Sequence, residues 1–331
     1  MKEAMFYKRL NGKVQCLLCP RRCIIPEGKR GFCWNRVNIN GKLYAIGYGK
    51  VCSLAIDPIE KKPLYHFYPG SKCLSLAIAG CNFRCLHCQN WEVSQRAPDE
   101  VVYREMEPGE VIELALSYEV QGLSYTYTEP TVYYEFMYDC SVLAKERGLY
   151  NTMVTNGYIE KEPLKALTMD AMNIDIKGNE RFYREVCKAE LDPVLETCKL
   201  AKKLGIWVEI TNLIIPGYND NVDDILFIVE FVKSLGREVP LHFTRFHPDY
   251  KLLNVPPTPV EILERARELA LEEGLKYVYI GNVPGHEGEN TYCPRCGALL
   301  IERDIFGIKI VDLDLESKKC LVCGEKIDII C

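Results

Sequence analysis

The sequence predicts an α/β fold, a partial (β/α)6-type TIM barrel with one small cysteine-rich module before it and another after it. Three observations carry that expectation. From Cys73 onward, short apolar runs alternate with segments of helical periodicity, the mark of βα units on a parallel sheet. A polar segment rich in turn-forming residues follows each of the first six runs. Most of the cysteines fall into three groups, two of them outside the alternating region. At 331 residues and 48% hydrophobic composition, the chain can bury one large core with small attachments.

Residues 1–50 form the first module. Cys16, Cys19, Cys23 and Cys33 stand in a C-x2-C-x3-C-x9-C pattern, and four thiolates suit either zinc or an iron–sulfur cluster, since both accept four sulfurs. Residues 51–288 hold the barrel. Its strands are expected at Cys73 to Ala79, Leu123 to Tyr127, Tyr150 to Thr155, Ala171 to Ile176, Trp207 to Ile215, Leu241 to Phe246 and Tyr277 to Ile280. Helices are expected at Glu110 to Val120, Val132 to Glu146, Pro163 to Leu167, Pro193 to Leu204, Val222 to Ser234 and Pro259 to Glu273. In such folds chemistry gathers at the carboxyl ends of the strands, where the βα loops meet. Those positions hold the loop after Ala79, then Thr128-Glu129-Pro130, Asn156-Gly157, Lys177-Gly178, Pro216 to Asp220, and His247-Pro248. Any one of them reads as an ordinary turn. Six in register point to a site.

Residues 289–331 form the last module. Cys293-x2-Cys296 and Cys320-x2-Cys323, with 23 residues between the pairs, flank an expected hairpin, ALLIERDIFGIKIVDLDL, with Gly307 near its turn. The pattern is similar to a zinc ribbon, in which four thiolates hold a structural zinc ion. Cys52, Cys73, Cys140, Cys187 and Cys198 are scattered and read as buried packing, and Cys331 is left over.

The sharpest signal lies inside the barrel. Cys81, Cys85 and Cys88 share the loop CNFRCLHC, a C-x3-C-x2-C spacing. A [4Fe-4S] cluster has four irons, each needing an outside ligand, and thiolates normally supply all four. Three in one loop leave one iron able to hold a small molecule. Plainer readings compete: a cysteine stripe on a core helix, a zinc site completed by His87, and disulfides. The polar neighbours Asn82, Arg84, Gln89 and Asn90 and the preceding Gly80 argue against the helix.

Composition bounds the rest. A formal charge of -5 offers no global attraction to nucleic acid or anionic lipid. The N-terminus, MKEAMFYKRLNGKV, lacks an apolar signal core, and no apolar run approaches the roughly 18 residues of a membrane span. A cytoplasmic protein is expected. Without a secretory signal, the grouped cysteines among the 17 read as metal ligands in a reducing compartment.

The cysteine loop on the first barrel strand resembles the radical S-adenosylmethionine (radical SAM) superfamily. More narrowly, DPIEKKPLYHFYPGS, GCNFRCLHCQNWEVSQ, YTYTEPT, TNGYI, NIDIKG, EITNLIIPGYND, FTRFHPDY and YIGNVPGHEGENTYCPRCG, in that order, resemble the radical SAM enzyme of the AmmeMemoRadiSam system. That group is itself similar to pyruvate formate-lyase activating enzymes. The resemblance implies that Cys81, Cys85 and Cys88 ligate a [4Fe-4S] cluster and that SAM chelates its fourth iron. His87 takes the place of the superfamily's aromatic residue near the adenine. Glu129 and Pro130 remain from its Gly-Gly-Glu-Pro segment, which receives the SAM amino group, while Tyr127 and Thr128 replace the glycines. Asn156, Asp175, Lys177 and His247 are nominated around SAM, and Thr211 stands where the activating enzymes carry an arginine, with Asn212 beside it.

The chemistry implied is reductive cleavage of SAM to a 5'-deoxyadenosyl radical, which abstracts a hydrogen atom from a substrate of that system. An external ferredoxin or flavodoxin is implied as reductant, since no nicotinamide or flavin fingerprint is evident, and a Memo-type protein as partner. Two other readings stay open: activation of a glycyl-radical enzyme, and a zinc-rich module binding protein or RNA.

Overall fold

In the computed structural model, which describes residues 1–304 and 307–331, the alternating region becomes a nine-stranded sheet. Seven strands run parallel and in chain order: Lys72–Ile78, Gly122–Tyr125, Tyr150–Thr155, Ala171–Asp175, Trp207–Ile214, Leu241–Arg245 and Val278–Gly281. Each expected strand is therefore present, with no end shifted by more than two residues. Lys50–Pro58 adds antiparallel to Lys72–Ile78, and Arg104–Glu105 adds beyond it. That antiparallel edge has a half-buried, irregular pattern, which is why no clean period announced it. The sheet stays open, with Arg104–Glu105 and Val278–Gly281 as its two edges.

Burial explains the parallel core. Six of the seven residues of Lys72–Ile78 are buried, as expected of a strand covered on both faces. The six expected helices appear as Pro108–Ser117, Tyr134–Glu146, Lys161–Ala166, Asp192–Lys203, Val222–Leu235 and Val260–Glu272. Val222–Leu235 buries Ile225, Ile228, Val229 and Val232, one stripe at i, i+3, i+4 and i+7. Its first turn is closed by Asn221, whose side chain accepts the Asp224 N–H at 2.9 Å. Gly122 is held to glycine by its neighbour strand: a Cβ there would lie 2.0 Å from the Tyr150 ring.

The N-terminal segment makes two small antiparallel sheets, one of Lys2–Glu3, Arg36–Ile39 and Lys42–Ala45, the other of Tyr7–Leu10, Lys13–Cys16 and Ile24–Pro26. A buried ion pair, Arg36 to Glu135 at 2.6 Å, fastens it to the helix Tyr134–Glu146. At the other end Leu299–Asp304 and Gly307–Ile310 pair antiparallel, with Thr291–Tyr292 alongside. The expected tip of that hairpin, residues 305–306, lies outside the described residues. Leu313–Asp314 pairs with Lys319–Cys320.

The amino ends of the parallel strands carry a buried polar network. Glu209 accepts the N–H groups of Tyr65 and His66 at 3.0 and 2.8 Å, the Trp207 indole at 3.1 Å and a ring nitrogen of His242 at 2.7 Å. His66 bonds the Tyr279 hydroxyl at 2.5 Å and the Asp328 carbonyl at 2.6 Å. The chain end is anchored beside it, where Ile330 N–H donates to His66 and Tyr68 N–H to Ile330.

Candidate active site

One cavity of about 430 Å³ is lined from the carboxyl ends of all seven parallel strands. Cys81 comes from the first, Glu129 from the second, Asn156 from the third, Lys177 from the fourth, Thr211 from the fifth, Thr244 from the sixth and Asn282 from the seventh. A flat sheet would spread seven strand ends over roughly 29 Å at about 4.8 Å per strand, so a shared cavity requires the sheet to curl. A second groove, of about 510 Å³, lies against the amino ends at Tyr150 and Trp207 and has no cysteine in its lining. It carries Lys145, Asp170 and Lys202, whereas all three cysteines of the CNFRCLHC loop line the first.

Cys81, Cys85 and Cys88 all line that cavity. No helix runs through them; the short helix Trp91–Ser94 begins only after the last. The Cys81 sulfur accepts the Phe83 N–H at 3.3 Å, and the Cys88 sulfur meets the Ser94 hydroxyl at 3.0 Å. Cys187 is fully buried against Cys85, where Arg84 N–H and Leu86 N–H donate to the carbonyls of Cys187 and Val186. It does not line the cavity. Among the described residues, only three cysteines face this space.

Glu129 sits at the same level and is almost wholly buried. One carboxylate oxygen accepts from the Thr131 N–H, the Thr131 hydroxyl and the Thr155 hydroxyl, at 3.0, 2.6 and 2.8 Å; the other accepts the Asn156 N–H at 2.8 Å. Burial raises its pKa above the ordinary carboxyl range, against the pull of those four donors. A carboxylate has about four lone-pair sites, two on each oxygen. The second oxygen therefore keeps room for one more donor on the cavity side.

His87 is buried in the cavity wall, 5.9 Å from the Phe182 ring, and its Nδ1 has no hydrogen-bond partner. Burial first, and then the Lys177 charge, push its pKa down to about 3, so the ring is neutral at pH 7. Lys177 pairs with Asp175 at 2.6 Å. Burial lowers the Lys177 pKa, but Asp175, with Cys85 and Cys187 beyond it, outweighs burial and leaves it raised. Thr211 lines the cavity and donates to Asn173 at 2.9 Å. Its neighbour Asn212 points away, donating to the Ile176 carbonyl at 2.7 Å. His247 is not among the residues brought together: it is exposed and lines a separate, adjacent hollow with Arg245 and Phe246.

Other lining residues were not read from the sequence. Lys62 is buried against Asp57 at 2.7 Å, Lys61 reaches the same carboxylate at 2.7 Å, and the Tyr127 hydroxyl donates to it as well. Burial works to raise the Asp57 pKa, yet these partners hold it well below the usual range. No periodic signal marked them, since four of the seven residues in DPIEKKP are charged. Tyr127 has φ of 64°, a left-handed conformation rare for a bulky residue. The backbone thus keeps a shape suited to glycine although the glycine is absent. Asn282 follows the seventh strand, and the rule applied to the first six ends would have found it.

The two outer cysteine groups differ. Cys293, Cys296, Cys320 and Cys323 place all four sulfurs within 4.8 Å of one another, with Cys293 to Cys323 at 3.6 Å and Cys296 to Cys320 at 3.7 Å. Tetrahedral zinc with sulfur at about 2.3 Å requires sulfurs about 3.8 Å apart. Cys16, Cys19, Cys23 and Cys33 all line one small pocket. No three of their sulfurs come within 4.8 Å of one another.

Comparison with known proteins supplies the context. The family model for the radical SAM superfamily matches residues 76–232. An uncharacterized protein of Methanocaldococcus jannaschii is 74% identical over the full length of both chains. The pyruvate formate-lyase 1-activating enzyme of Escherichia coli is 23% identical over 230 residues, covering 64% of this chain and 93% of the relative. The crystal structure of Streptococcus suis SuiB superposes with a TM-score of 0.50 at 12% identity, covering 65% of this chain and 48% of SuiB, a likeness of fold.

Proposed function

The chain belongs to the radical SAM superfamily, and from that premise we propose that it binds a [4Fe-4S] cluster and SAM in the cavity at the carboxyl ends of a partial barrel. A single observation carries the reading: three cysteines, Cys81, Cys85 and Cys88, face a cavity that no fourth cysteine reaches among the described residues. Those three would hold the cluster and leave one iron for SAM. When bound, the cluster and SAM supply a one-electron reductive cleavage whose product is the 5'-deoxyadenosyl radical.

The chain's own residues orient and enclose. Glu129 presents its one spare acceptor site to the SAM ammonium. His87, neutral and with Nδ1 unpartnered, offers a planar face and a free acceptor or donor to the adenine. Lys177 and Asp175 meet the polar ribose or carboxylate, with Thr211 and Asn156 alongside. His247 lines the adjoining hollow, which shares Gln89 and Asn282 with the cavity, and would lie on the route by which substrate approaches. The strand ends bury these groups and exclude water from the reacting centre.

The substrate belongs, in this reading, to the AmmeMemoRadiSam system, which the ordered motif blocks from DPIEKKP to YCPRCG support. Ferredoxin or flavodoxin would deliver the electron, and a Memo-type protein would act in the same pathway. The likeness to an activating enzyme favours a second reading, installation of a glycyl radical in a partner. Cys293, Cys296, Cys320 and Cys323 hold structural zinc in a ribbon-like module, as their sulfur spacing favours. Among the described residues no helix is long and apolar enough to cross a membrane.

The test is 5'-deoxyadenosine formation by anaerobically reconstituted protein given SAM and a reductant, comparing the natural chain with Cys85→Ala. Product from the natural chain alone is expected. Equal product from both removes the loop from the chemistry, and an iron-free, zinc-filled natural chain favours the binding-module reading. Mass spectrometry of a candidate partner separates the two enzymatic readings, because a glycyl radical leaves a backbone cut at glycine on exposure to air.

A further inference from the structure

The C-terminal quartet provides an internal standard for what a one-ion thiolate site looks like in this chain, with sulfur pairs at 3.6 and 3.7 Å. Cys16, Cys19, Cys23 and Cys33 do not meet it. They surround one pocket, yet no three of their sulfurs approach within 4.8 Å. The catalytic loop behaves the same way: Cys81, Cys85 and Cys88 face one space without closing to single-ion spacing. A multi-iron cube sets its thiolates on the corners of a larger body than one ion does, so both open groups match a cluster and the closed group matches zinc.

Placement adds a second observation. Gly80, the residue before Cys81, has φ of 110°, and a Cβ there would lie 2.6 Å from the carbonyl oxygen of Cys33. The two loops are thus packed backbone to backbone. Arg84, from the catalytic loop, donates to the carbonyls of Cys81 and Phe32 and lies over the rings of Phe32 and Trp34 at 3.9 and 3.6 Å. Arg21 donates to the Asn82 carbonyl at 3.0 Å from the other side. These contacts fasten the Cys33 segment and Arg21 of the N-terminal group to the Cys81–Cys88 loop, so the two cysteine groups sit side by side.

We infer that Cys16, Cys19, Cys23 and Cys33 ligate a second iron–sulfur cluster, with all four corners held by protein, directly behind the first. The inference goes beyond the SAM site and survives or falls without it. The test uses the full chain with Cys81→Ala, Cys85→Ala and Cys88→Ala combined, purified and reconstituted anaerobically with iron and sulfide. About four irons per chain and cluster absorbance are expected to remain, with one zinc, and adding Cys19→Ser to the triple variant should remove the iron. Two zinc ions and no iron, metal-free thiols in the N-terminal group, or iron that persists after Cys19→Ser would each overturn it. Should the triple variant fail to fold, the natural chain is compared with Cys19→Ser alone: loss of about four irons per chain supports the inference, and an unchanged iron content overturns it.

Discussion

The two ends of the parallel sheet use the same kinds of polar residue to opposite purposes. At the amino ends, Glu209 is satisfied by four donors and His66 by a hydroxyl and a carbonyl, so these two side chains close on protein partners. At the carboxyl ends, His87 Nδ1 has no partner, three thiols face open space, and Glu129 keeps one acceptor site in reserve. A network that closes on itself serves stability, whereas one left open toward a cavity is arranged for something that must still arrive. The closed arrangement serves the fold, and the open one is what the proposed ligand site requires.

The comparison predicts a double dissociation. The largest effect is at the open end, where Cys85→Ala should abolish 5'-deoxyadenosine formation while the urea midpoint of the metal-free chain moves little; a collapsed midpoint would make Cys85 structural. At the closed end, Glu209→Ala leaves His242, Trp207 and two backbone donors without their acceptor, and should cost about 3–5 kcal/mol in urea unfolding. SAM affinity of the folded fraction should be unchanged, and a loss of affinity would erase the distinction.

A pH scan sharpens the same contrast. Burial is the first cause holding the His66 pKa down to about 4, below its ordinary 6.5. Between those values the unfolded chain takes up a proton that the folded chain refuses, so stability falls as pH drops from 6.5 towards 4. The penalty is about 3 kcal/mol in full, and His66→Gln should flatten that part of the profile. A slope unchanged by the substitution would show that His66 is not the group responsible. The smallest effect is back at the open end: Glu129→Ala should weaken SAM binding by about 2 kcal/mol, measured by equilibrium dialysis, with iron content retained. Iron lost in step with SAM would place Glu129 in the cluster's support instead.

The sheet was legible because parallel strands buried on both faces produce short apolar runs, and Tyr150–Thr155 was read to the residue. The cysteine loop was legible because thiols and polar neighbours are rare together. Lys62 and Asp57 were not, since a buried ion pair has no periodicity and its meaning depends on the Tyr127 hydroxyl, 65 residues away from Lys62 in the chain. Strand-end counting also nominated His247, which lines the hollow next to the cavity, the two sharing Gln89 and Asn282. Cys187 read as a packing residue, and its place behind Cys85 emerges only from the pairing of residues 84–86 with 186–187.

The central claim is that one corner of the cavity's cluster is kept for SAM, and electron–nuclear resonance on the reduced protein with isotope-labelled SAM tests it most directly. The account predicts hyperfine coupling between the cluster and the labelled amine and carboxylate of SAM, present in the natural chain and weakened in Glu129→Ala. A reduced cluster that shows no coupling to bound SAM, with its spectrum unchanged when SAM is added, would contradict it.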